Sequence, residues 1–308
     1  MPEGWDVHTH LVPPELLSGP ELAVVDGKLT VDGQPAVPLG RLADPAALSG
    51  WVDRQELAGA LVSLPPPVLR YHLTGAAAVG WAERANQALA AATAADPRLR
   101  PLATVPLSDP AAAVEAARTA LAGGGFGGLA LGTLPVAPAG LADPALASLW
   151  RLLDDRSSFV FLHPGPCPDR RLAPYYLGNL LGNPYETTLA TAQLLFSGVL
   201  ERFGRITFCL AHGGGAVAAV AGRWQRGVDT GRPGVPADTG PVGPPLRRLL
   251  VDDLVHDPVA IRLLEATFGA DRVVPGSDWP FPMGADRLDP ERARRTAAML
   301  EPLTRPAG

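Results

Sequence analysis

Four polar residues stand where predicted β-strands end, and their side chains are of the types that bind metals. His8 and His10 lie in Asp-Val-His-Thr-His at residues 6–10, where the period-two alternation of a strand places both imidazoles on one face. His163 closes one run of apolar residues and Asp278 closes another. Imidazole and carboxylate groups are common ligands of zinc and similar divalent ions. The pattern therefore predicts that His8, His10, His163 and Asp278 bind a divalent metal.

A fifth histidine, His212, is followed by three glycines at residues 213–215 and then by a predicted helix. Glycines let backbone approach a ligand closely and leave helix N–H groups directed at an anion. His212 could therefore be a metal ligand or a general acid/base, and a hydrogen bond at the strand ends is the plain structural alternative. His72 and His256 are isolated in predicted loops, where a structural or exposed role is favoured. His256 is the better of these two for substrate binding because it follows the seventh predicted strand.

Short apolar runs alternate with alanine-rich amphipathic segments, a pattern typical of βα units around a parallel sheet. Strands are predicted near residues 5–8, 58–64, 102–106, 127–131, 159–163, 206–212, 249–252 and 272–277. Helices are predicted near residues 45–56, 75–95, 110–122, 144–155, 185–203, 216–225, 258–268 and 290–300. We therefore expect a single (β/α)8 TIM-barrel domain over residues 1–308, with the candidate ligands at the strand ends where barrel active sites lie.

Two local patterns refine this expectation. Five predicted helices begin with aspartate before proline, which is an N-cap followed by proline at the first helical position; these aspartates are Asp44, Asp109, Asp143, Asp257 and Asp289. Residues 11–43, rich in proline and glycine, form an insertion after strand one that we expect to be a small, lid-like β structure. Within it, residues 22–25 and 28–31 flank Asp26-Gly27, which predicts a β-hairpin.

Other architectures and chemistries fit the sequence less well. Residues 123–128 satisfy GxGxxG, but they precede a predicted strand and do not open a helix, so a dinucleotide-binding doubly wound sheet is disfavoured. The chain has no GxSxG motif, which disfavours an α/β-hydrolase. Lys28 is the only lysine and lies in the predicted hairpin, so Schiff-base catalysis is not expected.

Composition narrows the cellular context. The formal net charge is −5 and no basic tract occurs, so a nucleic-acid partner is not expected. Cys167 and Cys209 are the only cysteines and lie far apart, which excludes a disulfide framework and suits a reducing cytoplasm. No signal-peptide pattern and no uninterrupted apolar span are found. We expect a soluble, cytoplasmic protein with no membrane partner.

Taken in order, the motifs resemble the amidohydrolase superfamily and, more narrowly, the amidohydrolase-2 family of enzymes similar to aminocarboxymuconate-semialdehyde decarboxylase. The matching stretches are Asp-Val-His-Thr-His (6–10), Trp-Ala-Glu-Arg-Ala-Asn (81–86), Phe-Leu-His-Pro (161–164), Leu-Phe-Ser-Gly-Val-Leu-Glu-Arg-Phe (195–203), Ala-His-Gly-Gly-Gly (211–215) and Gly-Ser-Asp-Trp-Pro-Phe-Pro (276–282). The last two are the most specific.

The resemblance implies roles for the site residues. His8, His10, His163 and Asp278 would be the metal ligands, with Asp278 also catalytic, and His212 would be the acid/base. Two-metal members of the superfamily carry a carboxylated lysine on strand four, where this chain has the sequence Leu-Gly-Thr at residues 131–133. One divalent metal per chain is therefore expected, with zinc favoured.

The resemblance also bears on substrate and assembly. Arg223 matches an arginine that the muconate-semialdehyde decarboxylases lend to a neighbouring subunit's carboxylate pocket, which implies a homodimer; by itself, Arg223 is an ordinary helix arginine. A second substrate arginine is replaced by Ala36, and Arg41 is the nearest substitute. With His256, these two arginines are the candidate substrate-binding residues for a small carboxylate.

The function expected from this resemblance is metal-dependent, non-oxidative decarboxylation of an unsaturated or aromatic carboxylic acid. Metal-dependent hydrolysis of an amide, ester or lactone is the main alternative, and hydration of a double bond is another. A degenerate barrel used only for binding is disfavoured by the intact ligand set.

Overall fold

A computed structural model describes residues 3–133 and 140–304, with side chains described as far as residue 300. Its strands are β1 (Trp5–His10), β2 (Leu22–Val25), β3 (Lys28–Val31), β4 (Gln34–Pro38), β5 (Gly59–Ser63), β6 (Leu99–Pro101), β7 (Leu129–Gly132), β8 (Phe159–His163), β9 (Thr207–Leu210), β10 (Leu250–Asp252) and β11 (Val273–Val274). Its α-helices are α1 (Pro45–Arg54), α2 (Gly75–Thr93), α3 (Pro110–Ala122), α4 (Ala147–Asp155), α5 (Asn183–Phe196), α6 (Val199–Arg202), α7 (Val217–Asp229), α8 (Gly243–Leu246), α9 (Pro258–Phe268) and α10 (Pro290–Thr304).

Eight of these strands form parallel sheets in the orders β1-β5-β6 and β11-β10-β9-β8-β7. A parallel bridge between Ala103 and Leu129 connects the ends of β6 and β7, and a bridge between Thr9 and Trp279 joins β1 to the segment after β11. Each sheet strand is followed by helical structure before the next. The predicted (β/α)8 fold is confirmed by this order.

All five aspartates predicted to start helices accept a hydrogen bond from a backbone N–H one turn into the helix. Asp44 accepts from Ala47 and Asp109 from Ala112, while Asp143, Asp257 and Asp289 accept from N–H groups two residues later. The carboxylates thereby satisfy N–H groups that have no partner within the helix. Helices α3 and α9 have the predicted bounds because these caps fix where they begin.

The chain divides into two compact units, one made of the residues up to Ala130 together with those from Pro275 onward, the other of Leu131–Val274. In the first, β1, β5 and β6 pack with α1 and α2 around a core that includes Trp51, Trp81 and Trp279. In the second, β8, β9 and β10 pair in parallel, and the rings of Trp150 and Phe208 lie 5.8 Å apart in its interior. The prediction of a single domain stays a prediction.

The insertion after β1 forms the antiparallel sheet β2-β3-β4, so the predicted β structure and its hairpin are confirmed. Leu22 and Leu29 are fully buried in the core of the first unit. Asp32 at the β3–β4 turn forms an ion pair with Arg70, whose guanidinium lies 4.5 Å from the Trp81 ring centroid. Hydrogen bonds from Arg70 lower the pKa of Asp32. The insertion is therefore anchored by both apolar and charged contacts, and its action as a lid stays a prediction.

The third barrel strand differs from the prediction, which placed it at residues 102–106. The strand spans Leu99–Pro101, a single parallel bridge follows at Ala103, and the backbone of Thr104 then bonds to a side chain instead of a neighbouring strand. The Asn86 amide accepts from Thr104 N at 2.8 Å and donates to Thr104 O at 2.9 Å. At Thr104, a side chain of α2 thus forms the hydrogen bonds that a neighbouring strand would otherwise form.

Among the described residues, no helix is both long and apolar enough to span a bilayer.

Candidate metal and proton-transfer site

Asp6 ties strand β1 to the segment that follows β11. Its fully buried carboxylate accepts hydrogen bonds from His8 N at 3.1 Å, Ser277 N at 3.0 Å, Ser277 Oγ at 2.6 Å and Trp51 Nε1 at 3.0 Å. Burial raises the pKa of Asp6, while these hydrogen bonds act in the opposite direction. Since Asp6 lies two residues before His8, its network fixes the backbone from which the candidate ligands project.

His8, His10 and Asp278 converge within the first unit. Asp278 Oδ1 lies 3.2 Å from His8 Nε2 and 3.1 Å from His10 Nε2, and the two Nε2 atoms are 3.2 Å apart. Both imidazoles are fully buried, so these donor atoms face one another out of contact with bulk water. Two imidazole nitrogens and a carboxylate oxygen in this arrangement form a His/Asp group that can hold a divalent metal ion.

The hydroxyl of Ser63 sets the tautomer of His10. The Ser63 hydroxyl donates to Thr9 O at 3.2 Å and lies 3.0 Å from His10 Nδ1. A hydroxyl has one proton, so the second contact requires His10 Nδ1–H to be the donor. This tautomer leaves the lone pair on Nε2, the atom that faces Asp278. Such outer hydrogen bonds orient metal-binding imidazoles and raise their basicity.

The backbone at Asp278 is held in an uncommon conformation. Its φ is +56°, in the left-handed region that few residues other than glycine adopt. Asp278 N donates to His8 O at 2.8 Å, and Phe281 N donates to Asp278 O at 2.9 Å. These bonds keep the carboxylate turned toward the two histidines, and the Phe281 ring lies 5.4 Å from that of His10.

His163 ends β8 in the second unit, and its tautomer leaves the lone pair on Nε2. Its Nδ1 lies 2.9 Å from Pro164 O, an atom that can only accept, so Nδ1 carries the proton. The His163 side chain is buried, and its ring centroid is 5.1 Å from that of His212. The structure thus brings together, within this unit, the predicted ligand and the predicted acid/base.

His212 follows β9 and begins a loop that requires glycine at two later positions. Gly213 and Gly215 have φ of +62° and +65°, and a Cβ at either position would collide with its surroundings. The N–H groups of His212 and Gly213 donate to the carboxylate of Asp252, at 2.9 and 2.7 Å. The prediction that the glycines leave helix N–H groups directed at an anion stays a prediction.

The predicted substrate residues are all on the surface. Arg223 is exposed on α7, Arg41 is exposed before α1, and His256 is exposed between β10 and α9. None of these three side chains forms a hydrogen bond or ion pair with a described residue. His72 is also exposed and lies 3.2 Å from Asp32.

The sequence reasoning missed three supporting residues: Asp6, Ser63 and Asp252. Asp6 and Asp252 carried a usable signal, because each is a carboxylate within or at the end of a predicted barrel strand. Ser63 gave none, since a serine at a strand end is common.

Comparisons with known proteins show the family of the chain. The Amidohydro_2 family model, described as amidohydrolase, matches residues 5–304. The 2-amino-3-carboxymuconate-6-semialdehyde decarboxylase of Dictyostelium discoideum is 28% identical over 296 residues, which cover 91% of this chain and 82% of the relative.

Solved structures share the fold. A 2,6-dihydroxybenzoate decarboxylase from Rhizobium aligns over 99% of both chains, with a TM-score of 0.79 and 20% identity. A 5-carboxyvanillate decarboxylase from Novosphingobium aromaticivorans, complexed with manganese and 4-hydroxy-3-methoxy-5-nitrobenzoic acid, aligns with a TM-score of 0.74 and 21% identity. That alignment covers 84% of this chain and 79% of the other. Since the family model matches nearly the whole chain, this (β/α)8 protein belongs to the amidohydrolase family.

Proposed function

We propose that the protein is a metal-dependent decarboxylase that removes the carboxyl group of a small aromatic or unsaturated acid as carbon dioxide, without oxidation. The observation that carries this proposal is the buried group of His8, His10 and Asp278, in a chain similar along 91% of its length to a decarboxylase. The relatives named above act on muconate-semialdehyde or benzoate acids, which share a carboxylate on a conjugated carbon.

The metal would be held by His8, His10, Asp278 and His163. Support comes from the convergence of His8, His10 and Asp278 within the first unit and from the tautomers that Ser63 and Pro164 impose. Three imidazoles and one carboxylate suit a single zinc ion. When bound, a divalent ion supplies a Lewis acid that orients and polarises the acid.

His212 would supply the proton. In the proposed step, the imidazolium of His212 gives its proton to the ring or alkene carbon that bears the carboxylate, which breaks the conjugation at that carbon. The carbon–carboxyl bond then breaks, its electron pair restores the conjugated system, and carbon dioxide leaves.

The carboxylate would be bound by cationic side chains, for which Arg223, Arg41 and His256 are the candidates. All three are exposed and without partners among the described residues, so they are available to a substrate or a second subunit. A homodimer is further supported by large apolar side chains exposed on one segment of the second unit, since such patches often mark subunit interfaces; these are Tyr175, Tyr176, Leu180, Leu181, Tyr185 and Leu189.

Metal-loaded protein tests the function directly. We expect carbon dioxide release from at least one member of a panel of hydroxybenzoates, carboxyvanillates and muconate semialdehydes, and about 10²–10⁴-fold slower turnover in His212→Ala with its metal retained. Hydrolysis of esters or lactones without carbon dioxide release would overturn the proposal. Metal analysis should find one ion per chain, and two ions, or full occupancy in His8→Ala, would refute the ligand set.

Subunit mixing tests the shared site. If Arg223 serves a neighbour's site, mixing His212→Ala with Arg223→Ala should restore part of the activity, because one hybrid site has both residues intact. No recovery despite measured subunit exchange would place Arg223 outside the partner's site.

A further inference from the structure

A second carboxylate, apart from the candidate metal ligands, contacts the backbone of the proton-transfer histidine. Asp252 ends β10 and is fully buried. Its Oδ2 accepts from His212 N at 2.9 Å, and its Oδ1 accepts from Gly213 N at 2.7 Å and from Leu254 N at 3.2 Å. Both oxygens are therefore engaged by backbone donors.

The two donors on the glycine loop belong to consecutive left-handed residues. His212 has φ of +53° and Gly213 has φ of +62°. Successive N–H groups in such a turn point into one concavity, which binds anions. Here the concavity is filled by the carboxylate of Asp252, and the charge of that group strengthens both hydrogen bonds.

This arrangement offsets an unfavourable conformation. Glycine adopts positive φ freely, but His212 has a Cβ that opposes it. A residue other than glycine stays in this conformation only where several contacts hold its backbone there, and such positions cluster at active sites. Asp252 provides that constraint from a different strand, 40 residues later in the chain.

We infer that Asp252 is a positioning residue for His212: its carboxylate holds the His212 backbone in the left-handed conformation that aims the imidazole. The inference rests on the proposed function insofar as His212 moves the proton, but the orientation itself is independent of the reaction. A displacement of about 1 Å in a reacting group can cost about 100-fold in rate. Loss of the carboxylate should therefore lower turnover without removing the metal ligands.

The test uses Asp252→Asn, which keeps the shape but turns an NH2 group toward one of the backbone N–H donors. We expect kcat to fall by roughly 30- to 300-fold, on the order of the positioning effect above, with KM and metal content within about twofold of wild type. Asp257→Ala is the matched control. Asp257 accepts a backbone hydrogen bond at the start of α9, so this variant loses a similar bond without touching His212. Its kcat should stay at the wild-type value.

A double-mutant cycle separates positioning from general damage. In a His212→Gln background, Asp252→Asn should cause no further loss of activity, because the residue that it positions is already gone. Loss of metal in Asp252→Asn, an unchanged kcat, or an equal further loss in the His212→Gln background would each overturn the inference.

Two measurements do not depend on turnover, so they hold even if the protein proves not to be a decarboxylase. With ¹³C-labelled histidine, the His212 ring resonance should move in Asp252→Asn but not in Asp257→Ala. If Asp252→Asn folds poorly, combining it with His212→Gly should recover part of the lost melting temperature, because glycine adopts the conformation without strain. An unmoved His212 signal, or equal melting losses in both backgrounds, would overturn the inference while leaving the proposed function untouched.

Discussion

Replacing Gly215 by alanine should destabilise the protein strongly, because two separate features of the structure oppose a side chain there. Gly215 has φ of +65° and ψ of −124°, a combination that residues with a Cβ rarely adopt. A Cβ built at this position collides with the carbonyl oxygen of Pro184 and lies 2.8 Å from Thr188 Oγ1. The Pro184 oxygen belongs to the backbone of α5, so no side-chain rotation relieves the clash.

The expected loss in the free energy of unfolding is the sum of these two effects. Backbone strain contributes about 1–3 kcal/mol and overpacking against α5 a further 1–3 kcal/mol, so about 2–6 kcal/mol in total. This is a large part of the roughly 5–15 kcal/mol that stabilises a typical protein. At about 2–4 °C per kcal/mol, the melting temperature should fall by roughly 5–20 °C.

Gly222→Ala is the matched control. Gly222 lies on α7, seven residues after Gly215, and a Cβ there meets no atom within 4 Å. Because glycine inside a helix is less favourable than alanine, this variant should gain about 0.5–1 kcal/mol. Thermal unfolding of both metal-loaded variants, followed by circular dichroism, checks the pair. Shifts of the same sign in the two variants would refute the reasoning.

Three further predictions concern single side chains. Ser63→Ala should weaken metal binding about 10- to 100-fold, because His10 loses the acceptor that fixes its tautomer; competition with a chelator measures this, and unchanged affinity would contradict it. Thr104→Val should leave stability unchanged or slightly raised, because Thr104 Oγ1 is buried without a hydrogen-bond partner among the residues the structure describes; urea unfolding checks it, and a loss above about 2 kcal/mol would disagree. Hydrogen bonds from Arg98 lower the pKa of Asp96 to about 2. This ion pair therefore stabilises the protein above the ordinary aspartate pKa, and its contribution disappears as the pH falls from about 4 toward 2. Asp96→Asn should unfold at lower urea concentration than wild type at pH 7, with the difference shrinking below pH 4; a difference that is constant with pH would contradict the assignment.

The sequence by itself determined the elements and the residues at their ends. Aspartate before proline predicted where α3 and α9 begin, because the cap and the fixed φ of proline act within one helical turn. Alternation in β1 and the apolar run of β8 predicted that His8, His10 and His163 stand on barrel strands. These are local properties, set by residues within a few positions of each other.

Only the tertiary structure decided how those side chains are held. The bond between Ser63 and His10 spans 53 residues, and that between Asp252 and His212 spans 40. Asn86, on a helix 18 residues earlier, binds both backbone groups of Thr104, just beyond the third strand. No local periodicity encodes such pairs, since they depend on which strands become neighbours and in what register. The tautomer of a ligand and the strained turn of His212 are fixed by those long-range contacts.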